Sequence, residues 1–284
     1  MNRFILKKSK RVAGTVARVI ALTLFLAFAV LPLFWIFITS IKPLQEIYTF
    51  PLQYLPSKIS LSGYSKLLGF SRFGTYFANS LWISLLAAAG GLFISILAGF
   101  ALSRLRSSKR SRGMLLVLYF TQMVPSFILM APLFFTLSRL RLTNNRLILA
   151  LIYAATTVAF GIIMAKSFFD RIPASIEEAA LIDGCDPFTA LFRVILPISM
   201  PGLVAIFSFA FVNVWNELFL AVMLMSTEWK LTVPVALNSF ISKAGVSWDM
   251  MSAGIVVALL PTMVIFAIGQ KYIVAGLTEG GVKG

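Results

Sequence analysis

Five of the ten acidic residues of this 284-residue chain lie between Asp170 and Asp186: Asp170, Glu177, Glu178, Asp183 and Asp186. The partners that would turn such a cluster into a reaction centre are missing. The chain has no histidine and one cysteine, Cys185. A Ser-His-Asp triad, a Cys-His pair, a His/Cys zinc site and an internal disulfide therefore cannot be built. No Gly-Lys dipeptide occurs, so a phosphate loop of the G-x-x-x-x-G-K-[S/T] type is absent too. If nucleotide drives this protein, a partner must bind it.

The grammar of the acidic stretch is helix, stop, helix. Ser175 followed by Glu178 predicts a capping box, with Pro173 just before it. Gly184 suits the left-handed residue that ends a helix, and Asp186-Pro187 reads as an N-cap followed by proline at the first helical position. Ile176, Ala179 and Ala180 fall on one small apolar face, with Glu177 directed elsewhere, so the first helix can lie flat and insert into a groove. Phe188, Leu191, Phe192 and Ile195 give the second helix a stripe for a membrane bundle, and Leu196-Pro197 with Pro201-Gly202 are expected to break and re-aim the chain. The competing reading is an amphipathic loop resting on lipid headgroups. Its acidity weighs against that, because anionic lipid would repel it.

A second candidate site is Glu217, the one acidic residue expected within a span, flanked by Asn213, Trp215 and Asn216. Charge inside a membrane is costly enough to suggest a function, here the lining of a solute pathway. The other reading places Glu217 at the interface, wetted or paired to an asparagine.

The elements that must position these residues follow from composition. Hydrophobic types make up 59% of the chain, charged types 12%, and the mean hydropathy is +0.92. Soluble domains carry about twice that charge, so this is a membrane protein. Six segments are long and apolar enough to cross: Val19–Thr39, Phe77–Leu102, Met114–Leu137, Leu147–Ala165, Gly202–Met225 and Met251–Tyr272. The first run continues through Pro32 to Ile38, past the length of a cleavable signal core, and reads as an uncleaved span. The expected fold is an all-α membrane protein of six transmembrane helices. Its parts are an N-terminus (1–18), a first span with an outer stretch (19–76), a core (77–272) containing the loop 170–197, and a tail (273–284).

The net charge of +15 could suit nucleic acid, but the cations sit at the ends of spans and no nucleic-acid partner is expected. Sixteen of the 25 Lys and Arg fall on the side of the two termini, with Arg104, Arg106, Lys109, Arg110 and Arg112 in one loop. The positive-inside bias places both termini in the cytoplasm, while Arg139, Arg141 and Arg146 dissent. The outer stretch Ser40 to Tyr76 contains Pro43, Pro51 and Pro56 and cannot be one helix; it is either a cap over the bundle or a docking surface. Ala87, Gly91, Ser95, Gly99 and Ser103 recur every four residues, a spacing that lets helices approach closely, and Pro125, Pro132 and Pro261 are expected to kink their helices.

Glu177-Glu178-Ala179-Ala180-Leu181-Ile182-Asp183-Gly184, followed by Ile195-Leu196-Pro197, resembles the EAA loop of permease subunits of binding-protein-dependent ATP-binding-cassette importers. The resemblance covers nearly the whole chain. It includes Asn79-Ser80, Thr121-Gln122-Met123-Val124-Pro125, Pro132-Leu133, Trp215-Asn216-Glu217 and Gly276-Leu277-Thr278, and points to the carbohydrate branch and the six-span permease of maltose-type transporters. It implies a type I importer fold in a bacterial inner membrane. Glu177, Glu178, Ala179, Ala180, Asp183 and Gly184 would form a cytoplasmic coupling helix docking on an ATPase dimer, which alone binds ATP and Mg; this chain would hold no cofactor. A second homologous permease, a solute-binding protein and a carbohydrate complete the implied assembly. Cys185 and Glu279 depart from the family pattern. Without the resemblance, an ion-coupled secondary transporter or channel remains the alternative, although one glutamate is thin support for it and gives the acidic loop no task. A membrane-embedded enzyme would need His, paired carboxylates or a metal set within the bilayer.

Overall fold

The computed structural model describes residues 2–70, 72–105, 109–242 and 245–279. In hydrocarbon, backbone groups must find partners within the chain, and the apolar segments accordingly form helices. α1 (Asn2–Ser40) is followed by two shorter helices, α2 (Leu44–Ile47) and α3 (Ser62–Phe70), and by α4 (Phe73–Arg104). α5 (Lys109–Met123), α6 (Ser126–Arg139), α7 (Arg146–Phe169) and α8 (Ala174–Ile182) come next. α9 (Pro187–Ala190), a π turn (Leu191–Ile195) and α10 (Leu196–Trp215) run on without interruption. After α11 (Phe219–Leu224), a 3-10 turn (Glu228–Lys230) and α12 (Val233–Ser239) come two short strands, β1 (Ile241–Ser242) and β2 (Gly245–Val246), and finally α13 (Trp248–Glu279). The strands pair antiparallel, Ile241 opposite Val246, in a chain that is otherwise helical, as expected.

Five helical stretches are individually long and apolar enough to span: Gly14–Ser40, Phe73–Arg104, Arg146–Phe169, Pro187–Trp215 and Trp248–Tyr272. The expected third span, Met114–Leu137, is instead α5 and α6, bent by 89° at their junction, and the count reaches six only if the pair is taken as one span. Pro125 does more than kink the helix. It stands at the N-cap of α6 with ψ 128°, and its ring keeps Val124 out of the helical region. Pro132 and Pro261 stay inside continuous helices.

The fifth span also differs from expectation. It begins at Pro187 rather than Gly202 and ends at Trp215 rather than Met225. Pro197 and Pro201 were expected to break the chain, yet the helix carries both. For Pro197 the π turn is the reason: Leu196 N–H donates to Leu191 O, five residues back, widening the turn just before it.

The chain forms two compact units. The first holds Met1–Ser71 and Phe240–Val257. Within it the proline-interrupted stretch after α1 is tied by side chains: Tyr48 Oη donates to Val246 O (2.8 Å) and accepts from Trp248 N (3.1 Å), and Lys66 pairs with the buried Asp249 at 2.8 Å. Lys42 is buried on the face of Trp35, 4.6 Å from the ring centre, and donates to Gln53 O. Desolvation lowers its pKa from the ordinary lysine value.

The second unit, Arg72–Ser239 with Ala258–Gly284, holds the main core. The small-residue stripe of α4 faces α7. A Cβ on Gly99 would lie 2.6 Å from Ala165 Cβ, one on Gly91 would lie 2.9 Å from Thr157 Oγ1, and Gly161 of α7 presses on the Ser95 side chain. Ser95 Oγ donates to Gly91 O at 2.7 Å, so close approach leaves no polar group unsatisfied there. Two buried clusters flank the seam, one around Ile83, Tyr153 and Val214 and the other around Phe169, Ile195 and Ile206.

Candidate functional site

The acidic stretch folds as helix, stop, helix, although its start is not the capping box expected. Pro173 is the N-cap residue and makes no side-chain cap, while Ser175 and Glu178 lie exposed inside α8. The stop is well built. Gly184 has φ +87°, Gly184 N–H donates to Leu181 O (3.1 Å) and Cys185 N–H to Ala180 O (3.0 Å), the paired bonds of a Schellman motif. Asp186 then caps α9, accepting from Phe188 N (2.9 Å) and Thr189 N (3.1 Å). Hydrogen bonds from the Thr189 hydroxyl and amide hold the Asp186 carboxyl below its ordinary pKa.

The two faces of α8 differ from the assignment made on spacing. Ile176 and Ala180 turn toward the chain's own core, where Ile176 packs on the cluster around Phe169 and Ile195. Ala179 does not join them and is exposed with Glu178, Leu181, Asp183 and Gly184. Ile182 is 86% exposed, and Phe188 beyond the stop 70%. Glu177 also turns inward. Its carboxylate pairs with Arg104 Nε at the end of α4, while the Arg104 guanidinium lies over Phe100, 4.8 Å from the ring centre. Arg104 Nη2 is buried and makes no hydrogen bond among the described residues.

The Glu217 region is a cavity of about 240 Å³ whose wall includes Gln122, Tyr153, Thr156, Asn213 and Glu217, with Phe160 and Phe209 stacked 4.0 Å apart beside them. Glu217 is not inside a helix. It follows the residue that ends α10, Asn216 (φ −92°, ψ 0°), and its carboxylate accepts the Leu220 N–H at 3.0 Å and the Tyr153 hydroxyl at 2.6 Å. Its partner is thus neither asparagine: Asn213 and Asn216 side chains bond back to Phe209 O and Val212 O, each at 2.8 Å. Trp215 is withdrawn from the cavity. It is 3% exposed, stacks on Phe211 and donates to Ala258 O at 3.0 Å. Of the four pathway candidates, Asn213 and Glu217 line the cavity and Trp215 and Asn216 do not.

Sequence reasoning missed the polar clasp at the other side of Tyr153. Asn79 donates to Trp229 O and Leu231 O, both at 2.9 Å, and accepts from Arg146; Asn144, at φ 57°, bonds Leu224 O (2.8 Å), Thr227 and Lys230. Arg146, the first residue of α7, is thereby held by Asn79. The one available signal was Asn144 beside Asn145, since asparagine tolerates the left-handed region.

Residues 91–279 match the family model described as binding-protein-dependent transport system inner membrane component. The inner membrane ABC transporter permease protein YcjP of Escherichia coli is 32% identical over 278 residues, covering 97% of this chain and 99% of that protein. The diacetylchitobiose uptake system permease protein DasC of Streptomyces coelicolor is 31% identical, covering 94% and 96%. A chain of a bacterial ABC transporter involved in the import of the acidic polysaccharide alginate superposes with a TM-score of 0.79 at 27% identity, covering 93% of this chain and 98% of that one.

Proposed function

Because the chain belongs to the inner membrane components of binding-protein-dependent transport systems, we propose that it is one of two permeases in an ATP-driven importer of a carbohydrate. The observation that carries the reading is α8: a short acidic helix stopped by Gly184, joined through Asp186 to a continuous spanning helix, and presenting Glu178, Leu181, Ile182 and Asp183 outward. That face is apolar at its centre and acidic at its rim, which suits a cleft in a soluble partner better than an anionic lipid surface. The partner in this reading is a cytoplasmic ATPase dimer that binds ATP and Mg, with both termini of this chain on the same side. A second, homologous permease completes the pathway, and a solute-binding protein delivers the sugar from outside. The carbohydrate assignment draws on relatives such as the diacetylchitobiose permease and on a cavity wall of hydroxyl, amide and carboxylate groups beside stacked rings.

In operation, closure of the ATPase dimer moves α8 and rocks the bundle so that the cavity opens outward, and reopening after hydrolysis returns it inward. An ion-coupled transporter would need an acid free to take up and release its ion. Glu217 instead spends its oxygens on Leu220 N–H and Tyr153, a capping task.

Purification in mild detergent from the native cell tests the reading. An ATPase and a second polytopic permease are expected to accompany the chain, and Ile182→Asp is expected to reduce the recovered ATPase ~10-fold, since about 1.4 kcal/mol at one exposed anchor suffices for that. The thermal unfolding midpoint of this variant should stay unchanged, as the side chain packs on nothing of its own chain. A chain that elutes alone and moves solute in liposomes without ATP would overturn the proposal.

A further inference from the structure

We propose that the Arg104–Glu177 ion pair is the joint through which motion of α8 enters the α4–α7 pair, making both positioning residues that touch neither solute nor ATPase. The inference rests on the importer reading above. Glu177 is the inward-facing neighbour of the outward-facing Glu178, its side chain 17% exposed, and Arg104 is the last residue of α4. Among the described residues the rest of the grip of α8 on the bundle is apolar, through Ile176 and Ala180, and the hydrophobic effect that holds such contacts sets no direction. The ion pair is directional. Its cation is also committed: one side of the guanidinium lies on Phe100, Nη1 reaches Ser103 Oγ at 3.3 Å, and Nη2 is buried without a hydrogen bond among the described residues. Glu177 is therefore the carboxylate that neutralises it.

A push on α8 consequently has two exits. One is covalent, through Gly184 and Asp186 into the π turn and α10. The other runs through Arg104 into α4, which the glycine seam locks to α7 with no room for relative shear at Gly99 and Gly91. Without the pair, the push would reach α4 and α7 only second-hand, through their packing on α10, and the cavity wall contributed by α7, at Tyr153 and Thr156, would follow the wall contributed by α10, at Asn213, less closely.

The test uses the full complex with its ATPase, carrying Cys185→Ser and an Asn213→Cys reporter in the cavity. The rate at which a maleimide labels the reporter is measured with and without Mg-ATP and vanadate, which trap the ATPase closed. Trapping should change the rate ~10-fold in this parent, and Glu177→Gln should cut that change to less than ~2-fold, as expected when one partner of a half-buried pair is removed. The ATPase should remain bound. The exchange Arg104→Glu with Glu177→Arg should restore the response, which a role in packing alone would not do. A full response in Glu177→Gln, no recovery in the exchange, or loss of the ATPase from Glu177→Gln each overturns the proposal. A parent that binds no ATPase fails the importer reading itself, and the two failures are thereby told apart.

Discussion

The Tyr153 hydroxyl donates to the Glu217 carboxylate across 2.6 Å, tying the middle of α7 to the point where α10 stops and α11 begins. Tyr153 is 2% exposed and the bond lies at the cavity wall. Tyr153→Phe should destabilise the chain by about 1.5–3 kcal/mol, the loss of one hydrogen bond to a charged acceptor that keeps the Leu220 amide. Glu217→Gln, which keeps an acceptor oxygen for Leu220, should cost less. Thermal unfolding in detergent separates them, and equal midpoints for Tyr153→Phe and the parent would remove the bond from the stability account.

Gly184 has open space around its missing side chain, so any penalty there is a backbone penalty. Gly184→Ala should cost about 1–2 kcal/mol through its positive φ, and Gly184→Asn less. Gly184→Pro cannot adopt that φ at all. Transport should be abolished in it while membrane insertion persists, and normal uptake would refute the role given to this turn.

Asp186 gives a pH dependence with a definite sign. Its carboxyl titrates lower when folded than when unfolded. Its contribution is therefore complete above the unfolded value of about 3.9 and is lost as the pH falls through the folded one. Hydrogen exchange at the Phe188 and Thr189 amides should be flat from about pH 5 upward and quicken, relative to intrinsic rates, only below about pH 4. Asp186→Asn should flatten the acidic limb.

Two glycines of α4 make a matched pair. Gly99→Val pushes into Ala165 and the backbone of α7 and should cost about 1–3 kcal/mol or more, since neither helix can give way. A Cβ at Gly90 meets nothing within 4 Å, and Gly90→Ala should be neutral or stabilise by up to about 1 kcal/mol. Similar losses at both sites would mean that α4 and α7 are not closely packed.

What could be read from the sequence was whatever depends on local rules. The capping of α9 by Asp186, the left-handed Gly184 and the packing role of Gly91 and Gly99 each follow from a residue type and its immediate neighbours. The misreadings share a cause. Ser175 and Glu178 have capping-box spacing, but Pro173 fixes the start of α8 two residues earlier. Pro197 looked like a breaker because the π turn that accommodates it leaves no mark on hydropathy. Phe219 to Met225 extended an apolar run past the true end of α10, and Trp215 beside Asn216 and Glu217 suggested a shared site although the helix turns them apart. The pairs Arg104–Glu177, Tyr153–Glu217 and Arg146–Asn79 join positions more than 60 residues apart. No spacing rule within one chain could have found them.

The uninterrupted run from Pro187 to Trp215 has a mechanical consequence. At 1.5 Å per residue its 29 residues make a rod about 44 Å long, well beyond the roughly 30 Å of hydrocarbon it has to cross. Were the prolines hinges, a displacement at the Asp186 end would be absorbed as bending. With Pro197 set just after the widened turn and Pro201 carried within α10, a rod that stays stiff would instead pivot, and a displacement of about 3 Å at one end about its midpoint would tilt it by roughly 8° and return a like displacement at the other. The far end is Trp215, bonded to Ala258 and two residues short of Glu217, so a tilt of this rod would be felt at the cavity wall.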